Sequence, residues 1–314
     1  MNTDFFNQTA HTPVETVTYT TPDRRQVTLN IKRDDLIDFS ISGNKWRKLK
    51  HNFFEAQRLG RSTIASFGGA FSNHIAALSA AGFRAGVKTI GFIRTHEIDL
   101  ANPTLKLAKA NGMELVALSR MEYRRRHDPE FLAELQEAYP NCFWVPEGGS
   151  NEFAAKGVEE LANEIMKDFS VSSSFSSSSA SVSEDSVLRI VCPVGSGGTI
   201  SGLAKALPLT GILGIAVVND TTLMDNIQAR FANTKIVTES IHGGYGKVSE
   251  SLLNFCDDFA SQTGIAIEPI YSGKMFYCLC IQNVLTNEEL AQTIVIHTGG
   301  LQGLEGLRYR GFLK

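Results

Sequence analysis

Residues 187–207, VLRIVCPVGSGGTISGLAKAL, are the stretch of sequence that is most informative about the fold. The first eight residues are an apolar run rich in β-branched side chains, which predicts a buried strand. Glycines at 195, 197 and 198 predict a tight turn, and the residues from Thr199 onward predict a helix. A strand that leads through a glycine-rich turn into a helix is typical of α/β folds.

The same alternation of short apolar runs and longer helical segments continues along the chain and predicts an α/β fold with mainly parallel sheets. Strands are expected at Val27 to Ile31, Thr63 to Phe67, Val87 to Ile93, Met113 to Leu118, Phe143 to Val145, Leu188 to Val191, Ile212 to Val218 and Thr293 to Ile296. Helices are expected to begin near Lys45, Asn73, Pro103, Pro129, Asn151, Thr199, Leu223 and Val248.

Composition narrows the possible functions. The chain has 314 residues, of which 43% are hydrophobic and 20% are charged, and its formal net charge is -3. Such a composition excludes global disorder, and the length favours about two domains. Because the charge is nearly balanced, we expect no nucleic-acid partner.

The first residues contain no basic stretch followed by an apolar run, so we expect no secretory signal. No run approaches the ~20 apolar residues that a membrane-spanning helix needs. The five cysteines are odd in number and lack zinc-ligand spacing, so we expect buried, reduced thiols, no metal and a cytoplasmic location.

A serine-rich segment follows the helix expected near Asn151. Ten of the fourteen residues from Ser170 to Ser183 are serine, and Glu184 and Asp185 come next. Such a stretch buries too little apolar surface to offset its ordering entropy, so residues 170–185 are predicted to form a mobile surface loop.

Three glycine-rich turns follow expected strands: GGAFSNH at 68–74, GSGGT at 195–199 and HTGG at 297–300. Ligands of open α/β sheets bind beyond the carboxyl ends of strands, where helix N-termini attract anions. The turn at 195–199 is the best phosphate candidate. Since it matches neither the Walker A pattern nor G-x-G-x-x-G, a single phosphate group is favoured over a dinucleotide. An ordinary strand-to-helix turn remains the alternative.

Lys45 and Lys48 fall in the first turn of another expected helix, away from its apolar face. Cations at this end oppose the helix dipole, which usually indicates only a solvated surface. Alternatively, a bound anion offsets this cost, and a partly desolvated lysine acts as an amine nucleophile or base.

Five motifs occur in an order that indicates one family: KRDD at 32–35 with GNKWRKL at 43–49, GGAFSNH, GSGGTISGL at 195–203, EPIYSGK at 268–274 and HTGG. Together they resemble the 1-aminocyclopropane-1-carboxylate deaminase and D-cysteine desulfhydrase family of fold-type II pyridoxal-phosphate enzymes. The resemblance implies two three-layer α/β domains with the cofactor in the cleft between them. Residues 1–49 and 161–314 would form the large domain, and residues 50–160 the smaller inserted one. It also implies a homodimer.

The resemblance further implies how pyridoxal 5′-phosphate is held. Lys45 would form the Schiff base and move protons at the substrate. Asn73 would hydrogen-bond the phenolic oxygen of the cofactor, and Thr298 would face its pyridine nitrogen. Lys48 would help to bind the 5′-phosphate. The main phosphate ligands would be Gly195, Ser196, Gly197, Gly198 and Thr199.

By the same resemblance, Ser72 and His74, with Asn73 between them, would bind the carboxylate of a small amino-acid substrate. Tyr271 and, by a looser match, Tyr245 would line the substrate pocket and act in acid–base steps. Taken singly, these residues have simpler interpretations: Ser72 suits a helix N-cap, His74 a packed helix position and Tyr271 a buried strand. His297 is predicted to be a core histidine at a strand end.

The deaminase branch of the family carries glutamate directly after the pocket tyrosine, whereas this chain has Ser272, which resembles the desulfhydrase side. We therefore expect D-cysteine desulfhydrase-like β-elimination to pyruvate, ammonia and sulfide. Deamination of 1-aminocyclopropane-1-carboxylate is the alternative, and a pyridoxal-phosphate-binding protein with little activity is an alternative of another class. Departures from the relatives' pattern near residues 219–230 and 278–291 could reshape the pocket.

Overall fold

A computed structural model of the chain describes residues 1–8, 11–175, 188–239 and 241–313. These residues form two compact units. The four-strand unit comprises the described residues of Met1–Thr9, Asp38–Gly157 and Gln302–Lys314. The six-strand unit comprises those of Ala10–Ile37 and Val158–Leu301.

Each unit is built on one sheet with helices around it. The strands are β1 (Val14–Thr20), β2 (Gln26–Lys32), β3 (Thr63–Gly69), β4 (Lys88–Arg94), β5 (Glu114–Leu118), β6 (Cys142–Val145), β7 (Arg189–Val194), β8 (Gly211–Ala216), β9 (Thr234–Val237) and β10 (Thr293–Ile296). The α-helices are α1 (Gly43–Arg58), α2 (Asn73–Ala85), α3 (Pro103–Ala110), α4 (Arg120–Arg124), α5 (Pro129–Ala138), α6 (Glu152–Phe175), α7 (Gly198–Ala206), α8 (Thr221–Arg230), α9 (Glu250–Thr263), α10 (Ser272–Cys280), α11 (Asn287–Ala291) and α12 (Gly303–Tyr309).

The larger sheet has the strand order β1-β2-β10-β7-β8-β9. All its neighbouring strands are parallel except β1, which pairs antiparallel with β2 at the edge. Almost every residue of β7, β8 and β10 is buried. Continuous burial is expected of parallel strands that helices cover on both faces.

Two hydrophobic clusters contain alternate residues of these central strands. Val191 and Val295 join a cluster that includes residues of α9 and α10. Ile190 and Ile294 join a second cluster with residues of α6, α7 and α8. Because successive strand residues point to opposite faces, the six-strand unit consists of a sheet between two helical layers.

The smaller sheet is parallel throughout, in the order β5-β4-β3-β6. Phe67 and Phe92, on neighbouring strands, belong to a cluster with residues of α4 and α5. Ile75 of α2 is placed against Gly68 and Gly91 of the same sheet. The observed sheets confirm the α/β fold with mainly parallel strands.

The sequence located eight of the strands but not β1 or β9. β1 is rich in threonine, and three of its seven residues are exposed, as suits an edge strand. It pairs with β2 partly through the Thr18 and Thr28 hydroxyls, whose oxygens are 3.1 Å apart on the exposed side. Such cross-strand polar pairs stabilise the exposed side of the strand. The apolar alternation of β1 is confined to Val17 and Tyr19, which is too short a pattern to have identified the strand.

The two units divide the chain differently from the domain boundaries expected from the sequence. Residues 38–49 and 302–313 cluster with the four-strand unit. Trp46 and Phe53 of α1 pack on Phe6, with ring centroids 4.7 and 5.5 Å away, respectively. In α12, Gly306 gives Phe71 room to pack closely. These aromatic contacts lie within the four-strand unit, with which both segments cluster.

The prediction of a mobile loop is wrong for residues 170–175, because α6 continues to Phe175. Extending an existing helix adds a hydrogen bond for each ordered residue, which favours continuation into a polar sequence. Residues 176–185 of the predicted loop lie outside the described part of the chain.

All five cysteines are buried, as the sequence predicted, and none forms a disulfide with another cysteine of the described residues. Across the described ranges, the helices are too short or too polar to cross a bilayer.

Candidate active site

In the four-strand unit, the loop after β3 contributes the first group of candidate site residues. Ser72 is the N-cap of α2 and accepts a hydrogen bond from the Ile75 N–H at 3.4 Å. A Cβ on Gly68 would lie 2.9 Å from Ser72 Oγ, so glycine allows the strand end to approach the helix start. Asn73 and His74 are therefore fixed in the first turn of α2, at the carboxyl edge of the sheet.

His74 is buried, with only 2% of its surface exposed. Its Nε2 lies 2.8 Å from Ser66 Oγ, whereas Nδ1 is a buried atom with no hydrogen-bond partner among the described residues. Burial, with further contributions from the Lys45 and Lys48 charges, lowers the His74 pKa well below its usual value. His74 is thus neutral at pH 7, with one ring nitrogen available to a ligand.

Lys45 lies in the first turn of α1, where the helix dipole disfavours an ammonium, and Lys48 lies in the second turn. Lys45 has intermediate exposure, and desolvation lowers its pKa to about 8. At that value about a tenth of the amine is neutral at pH 7, compared with roughly one part in 3,000 for an ordinary lysine. Lys48 is buried, and its Nζ donates to Gly148 O and Ser150 Oγ, both at 3.4 Å.

The turn at 195–199 lies between β7 and α7 in the six-strand unit. Gly197 is the N-cap of α7 with a φ of 76°, and no side chain caps this helix start. A Cβ on Gly197 would lie 2.6 Å from Ile227 Cδ1, and one on Gly195 would lie 3.0 Å from Tyr271 Cε1. Glycine is thus required by backbone conformation and by packing, and the helix start presents N–H groups suited to a phosphate.

Tyr271 is the N-cap residue of α10, a helix that was not predicted from the sequence. The buried carboxylate of Glu268 accepts the Ile270 N–H at 2.7 Å and the Ser272 N–H at 2.8 Å. It also accepts the Tyr271 N–H, at 3.0 and 3.1 Å to its two oxygens. Burial raises the Glu268 pKa to about 7 despite these bonds. Glu268 thus caps the helix that orients Tyr271.

Tyr245 is in the loop after β9, and its ring centroid lies 5.8 Å from that of Tyr271 in an edge-on arrangement. The structure therefore brings together the two tyrosines that the sequence selected. Tyr245 is well exposed, which leaves part of this pair open to a ligand.

The turn after β10 contains Thr298, which is buried. His297 Nδ1 accepts the Gly299 N–H at 3.2 Å, and Nε2 lies 2.8 Å from Ala266 O. Both ring nitrogens are satisfied, which confirms the prediction of a core histidine. Gly299 and Gly300 have φ values of 77° and 102°, which favour glycine in this turn.

Ser66, Glu268 and Lys274 were not selected from the sequence, although they support predicted site residues. Ser66 contacts His74, and Glu268 holds the segment that contains Tyr271. A signal for two of them was present: EPIYSGK places ionisable residues on both sides of the tyrosine in an otherwise apolar segment.

These features fit pyridoxal phosphate. The Lys45 amine loses its proton readily, as reaction with an aldehyde requires. The uncapped start of α7 suits a phosphate, and His74 Nδ1 is a buried polar atom that a bound group could satisfy. A glycine turn suited to a phosphate and an activated lysine are features expected of an enzyme that uses a phosphorylated aldehyde cofactor.

Comparison with known families identifies that class. Residues 6–299 match the family described as pyridoxal-phosphate dependent enzymes. The chain belongs to this family, and its cofactor is pyridoxal phosphate.

Two curated relatives and one solved structure indicate the branch. A Thermotoga maritima protein with the provisional name 1-aminocyclopropane-1-carboxylate deaminase is 32% identical over 294 residues, covering 87% of this chain and 89% of the relative. An Arabidopsis thaliana mitochondrial protein is named a bifunctional D-cysteine desulfhydrase/1-aminocyclopropane-1-carboxylate deaminase. It is 29% identical over 304 residues, which cover 87% of this chain and 72% of the relative. A crystal structure described as an ACC deaminase homologue superimposes with a TM-score of 0.69 at 26% identity, covering 99% of this chain and 98% of the other.

Proposed function

We propose that the protein catalyses β-elimination from a small D-amino acid, with D-cysteine as the first candidate, releasing pyruvate, ammonia and sulfide. Ser272, directly after Tyr271, carries the proposal. The resemblance implies glutamate here in deaminases, whereas the Ser272 hydroxyl is fully buried and donates to Glu268 Oε1 at 3.1 Å. This position therefore contributes a hydroxyl and not a second carboxylate.

The cofactor, when bound, supplies an electron sink that stabilises negative charge at the substrate Cα. The Lys45 amine is proposed to hold the cofactor covalently and, once released, to remove the Cα proton. Departure of the thiolate with the electron pair of the Cβ–S bond then leaves a carbon–carbon double bond. Addition of water to the resulting enamine, after its tautomerisation to an imine, gives pyruvate and ammonia.

The remaining residues orient the reactants. The N–H groups of the Gly195–Thr199 turn are proposed to bind the 5′-phosphate, and Asn73 the phenolic oxygen. Ser72 and neutral His74 are proposed to bind the substrate carboxylate. A neutral imidazole can either donate or accept a hydrogen bond, so His74 can adapt to the group it meets.

Thr298 bears on the choice of reaction because it is proposed to face the pyridine nitrogen. A hydroxyl leaves the ring neutral more readily than a carboxylate does, and it thereby gives a weaker electron sink. A weaker sink is adequate when a thiolate leaves, whereas opening an unactivated cyclopropane ring requires more stabilisation.

Deamination of 1-aminocyclopropane-1-carboxylate is the second candidate. It is favoured by the paired phenols of Tyr245 and Tyr271, which offer acid–base groups 5.8 Å apart by their ring centroids. The names of the relatives from T. maritima and A. thaliana also support it.

The cofactor assignment is tested by colour. The purified protein should have a visible absorption band that borohydride removes, and Lys45→Ala should abolish covalent attachment. Lys106→Ala, which removes an exposed lysine of α3, is the matched control and should retain the band. A protein that stays colourless with added pyridoxal phosphate would refute the role of Lys45.

The reaction is tested by measuring keto acid and sulfide from D-cysteine, L-cysteine, D-serine and the cyclopropane amino acid. Sulfide and pyruvate from D-cysteine are expected. Turnover of the cyclopropane compound alone would instead establish the second candidate, and a coloured protein inert towards all four would favour a binding role.

A homodimer and a cytoplasmic location are also proposed, on the family resemblance and the reduced cysteines. Sedimentation velocity should give a mass near twice that of one chain, and a monomer at micromolar concentration would contradict the first proposal. Fractionation of source cells tests the second.

A further inference from the structure

The first turn of α10 contains a second buried ionisable residue, Lys274. Its side chain is fully buried, and Nζ donates to Ile241 O at 2.9 Å and to Gly244 O at 2.7 Å. Both acceptors are backbone carbonyls of the loop that contains Tyr245. The ammonium therefore replaces its water contacts with two charge-assisted hydrogen bonds to one loop.

That loop has an unusual backbone. Positive φ values occur at His242 (48°), Gly243 (80°), Gly244 (103°) and Gly246 (66°). The left-handed conformation is sterically unfavourable for His242, because this residue has a Cβ. A segment with so many left-handed residues needs contacts to keep one conformation, and Lys274 bonds it on both sides of His242.

Glu268 binds the segment that contains Tyr271, the other tyrosine, at the start of α10. Besides capping α10, it accepts the Gly273 N–H through its main-chain oxygen at 2.7 Å. A Cβ on Gly273 would lie 2.7 Å from that oxygen, so glycine permits this close approach. The Tyr271 segment and the Tyr245 loop are thus attached to one rigid turn by an acid and a base.

The charges around Lys274 are consistent with this arrangement. Burial lowers its pKa to about 8, and the Glu268 charge acts in the opposite direction. His242 is the other titratable group nearby, and burial together with Lys274 keeps its pKa below the usual value. Lys274 therefore has a neutral histidine and an acid near it.

We propose that Lys274 and Glu268 are positioning residues: they fix the Tyr245 and Tyr271 phenols relative to each other and thereby determine how the substrate binds between them. This inference rests on the proposed function, which places both tyrosines in the substrate pocket. Neither positioning residue needs to touch the substrate.

The test uses Lys274→Met, which keeps the length of the side chain and removes its donors. Lys235→Met, at an exposed position of β9, is the matched control. Protein labelled with 3-fluorotyrosine gives a ¹⁹F resonance for each tyrosine, and Tyr245→Phe and Tyr271→Phe assign the two of interest. In Lys274→Met the Tyr245 resonance should move towards the position of a solvent-exposed, unstructured tyrosine, whereas Lys235→Met should leave it unchanged.

Kinetics provide the second readout. For D-cysteine, kcat/KM should fall roughly tenfold or more in Lys274→Met, as loss of charge-assisted hydrogen bonds predicts. The visible cofactor band should persist. Glu268→Gln should shift the Tyr271 resonance and lower kcat/KM in the same way, since an amide has a single acceptor oxygen. It provides an independent test if Lys274→Met does not fold.

An unchanged Tyr245 resonance in Lys274→Met would overturn the inference, as would a displaced Tyr245 with wild-type kcat and KM. The ¹⁹F spectra do not depend on turnover. If wild-type protein is inert towards all the amino acids tested, the proposed function fails, while displacement of the tyrosine resonances would still support the positioning role in the protein itself.

Discussion

Gly157 gives a direct test of how tightly the helix with Lys45 is held. A Cβ at this position in α6 would lie 2.6 Å from the carbonyl carbon of Arg47 and 3.2 Å from its Cα, and closer still to its carbonyl oxygen. These are backbone atoms of α1, which cannot rotate away. Since ordinary contact begins at 3.4 Å, the Gly157→Ala substitution requires a separation of the two helices by about 0.8 Å or more.

Two opposing effects set the change in stability. Overpacking a tight contact costs about 1–3 kcal/mol, whereas alanine is favoured over glycine inside a helix by about 1 kcal/mol. We expect a net loss of up to about 2 kcal/mol in the free energy of unfolding. Arg47 lies between Lys45 and Lys48 in the sequence, so its displacement moves both lysines. A misplacement of about 1 Å can lower a catalytic rate by about 10²-fold, so activity should fall more than stability does.

The assay combines urea unfolding with D-cysteine turnover and absorbance of the bound cofactor. Gly211→Ala, at the start of β8, is the matched control, because a Cβ there meets nothing within 4 Å. It should change stability by no more than about 0.5 kcal/mol and leave the rate intact. If Gly157→Ala had wild-type stability and turnover, the close approach of α6 to α1 would not position Lys45.

Three further predictions follow from other parts of the structure. The rate at which borohydride traps pyridoxal phosphate on Lys45 of the apoprotein should rise with pH and reach half its maximum near pH 8, because desolvation lowers the Lys45 pKa to about 8. A half-maximal rate above pH 10 would contradict this cause. Burial raises the Glu268 pKa from 4.5 to about 7, so the folded protein binds this proton more tightly than the unfolded chain does. The contribution of Glu268 to the free energy of unfolding should therefore fall by up to about 3 kcal/mol as pH rises from 4.5 to about 7. In urea titrations at pH 5 and pH 8, Glu268→Gln should remove this loss of stability. An equal pH dependence of stability in the wild type and the variant would refute it. A Cβ on Gly306 would lie 2.8 Å from Phe71 Cδ1, so Gly306→Ala should displace the GGAFSNH loop and raise KM several-fold. An unchanged KM would show that the Phe71 ring alone absorbs the contact.

The parts of the fold that follow from sequence patterns are those whose stability comes from burial. Strands such as β3 and β10 are almost wholly apolar and end in glycine turns, so their positions were predicted closely. Edge strand β1 was missed because its apolar alternation is confined to Val17 and Tyr19. Helix α10 was missed because it is buried on nearly all sides, which removes the helical periodicity, and because its capping carboxylate comes from Glu268, four residues before the helix begins.

Sequence patterns correctly placed the motif residues at strand ends and helix starts, but they did not reveal the residues that hold these groups. Lys45, Ser72 and the glycines at 195–198 lie at helix starts, as their spacing suggested. Lys274 forms its bonds with main-chain carbonyls some 30 residues away in the chain, and Ser66 reaches His74 from inside a strand. Such contacts depend on tertiary packing, which no local pattern records. The roles of the predicted site residues therefore stay predictions until the variants are measured.

The burial of the cysteines has a consequence for an enzyme that is proposed to release sulfide. Burial raises the pKa values of the Cys142, Cys256 and Cys280 thiols. At neutral pH these thiols are protonated and shielded, and the thiolate is the form that reacts with oxidised sulfur species. A protein that generates sulfide beside its own cysteines would otherwise accumulate persulfides wherever an oxidant is present. Placing the thiols inside the hydrophobic layers makes the protein chemically tolerant of its own product.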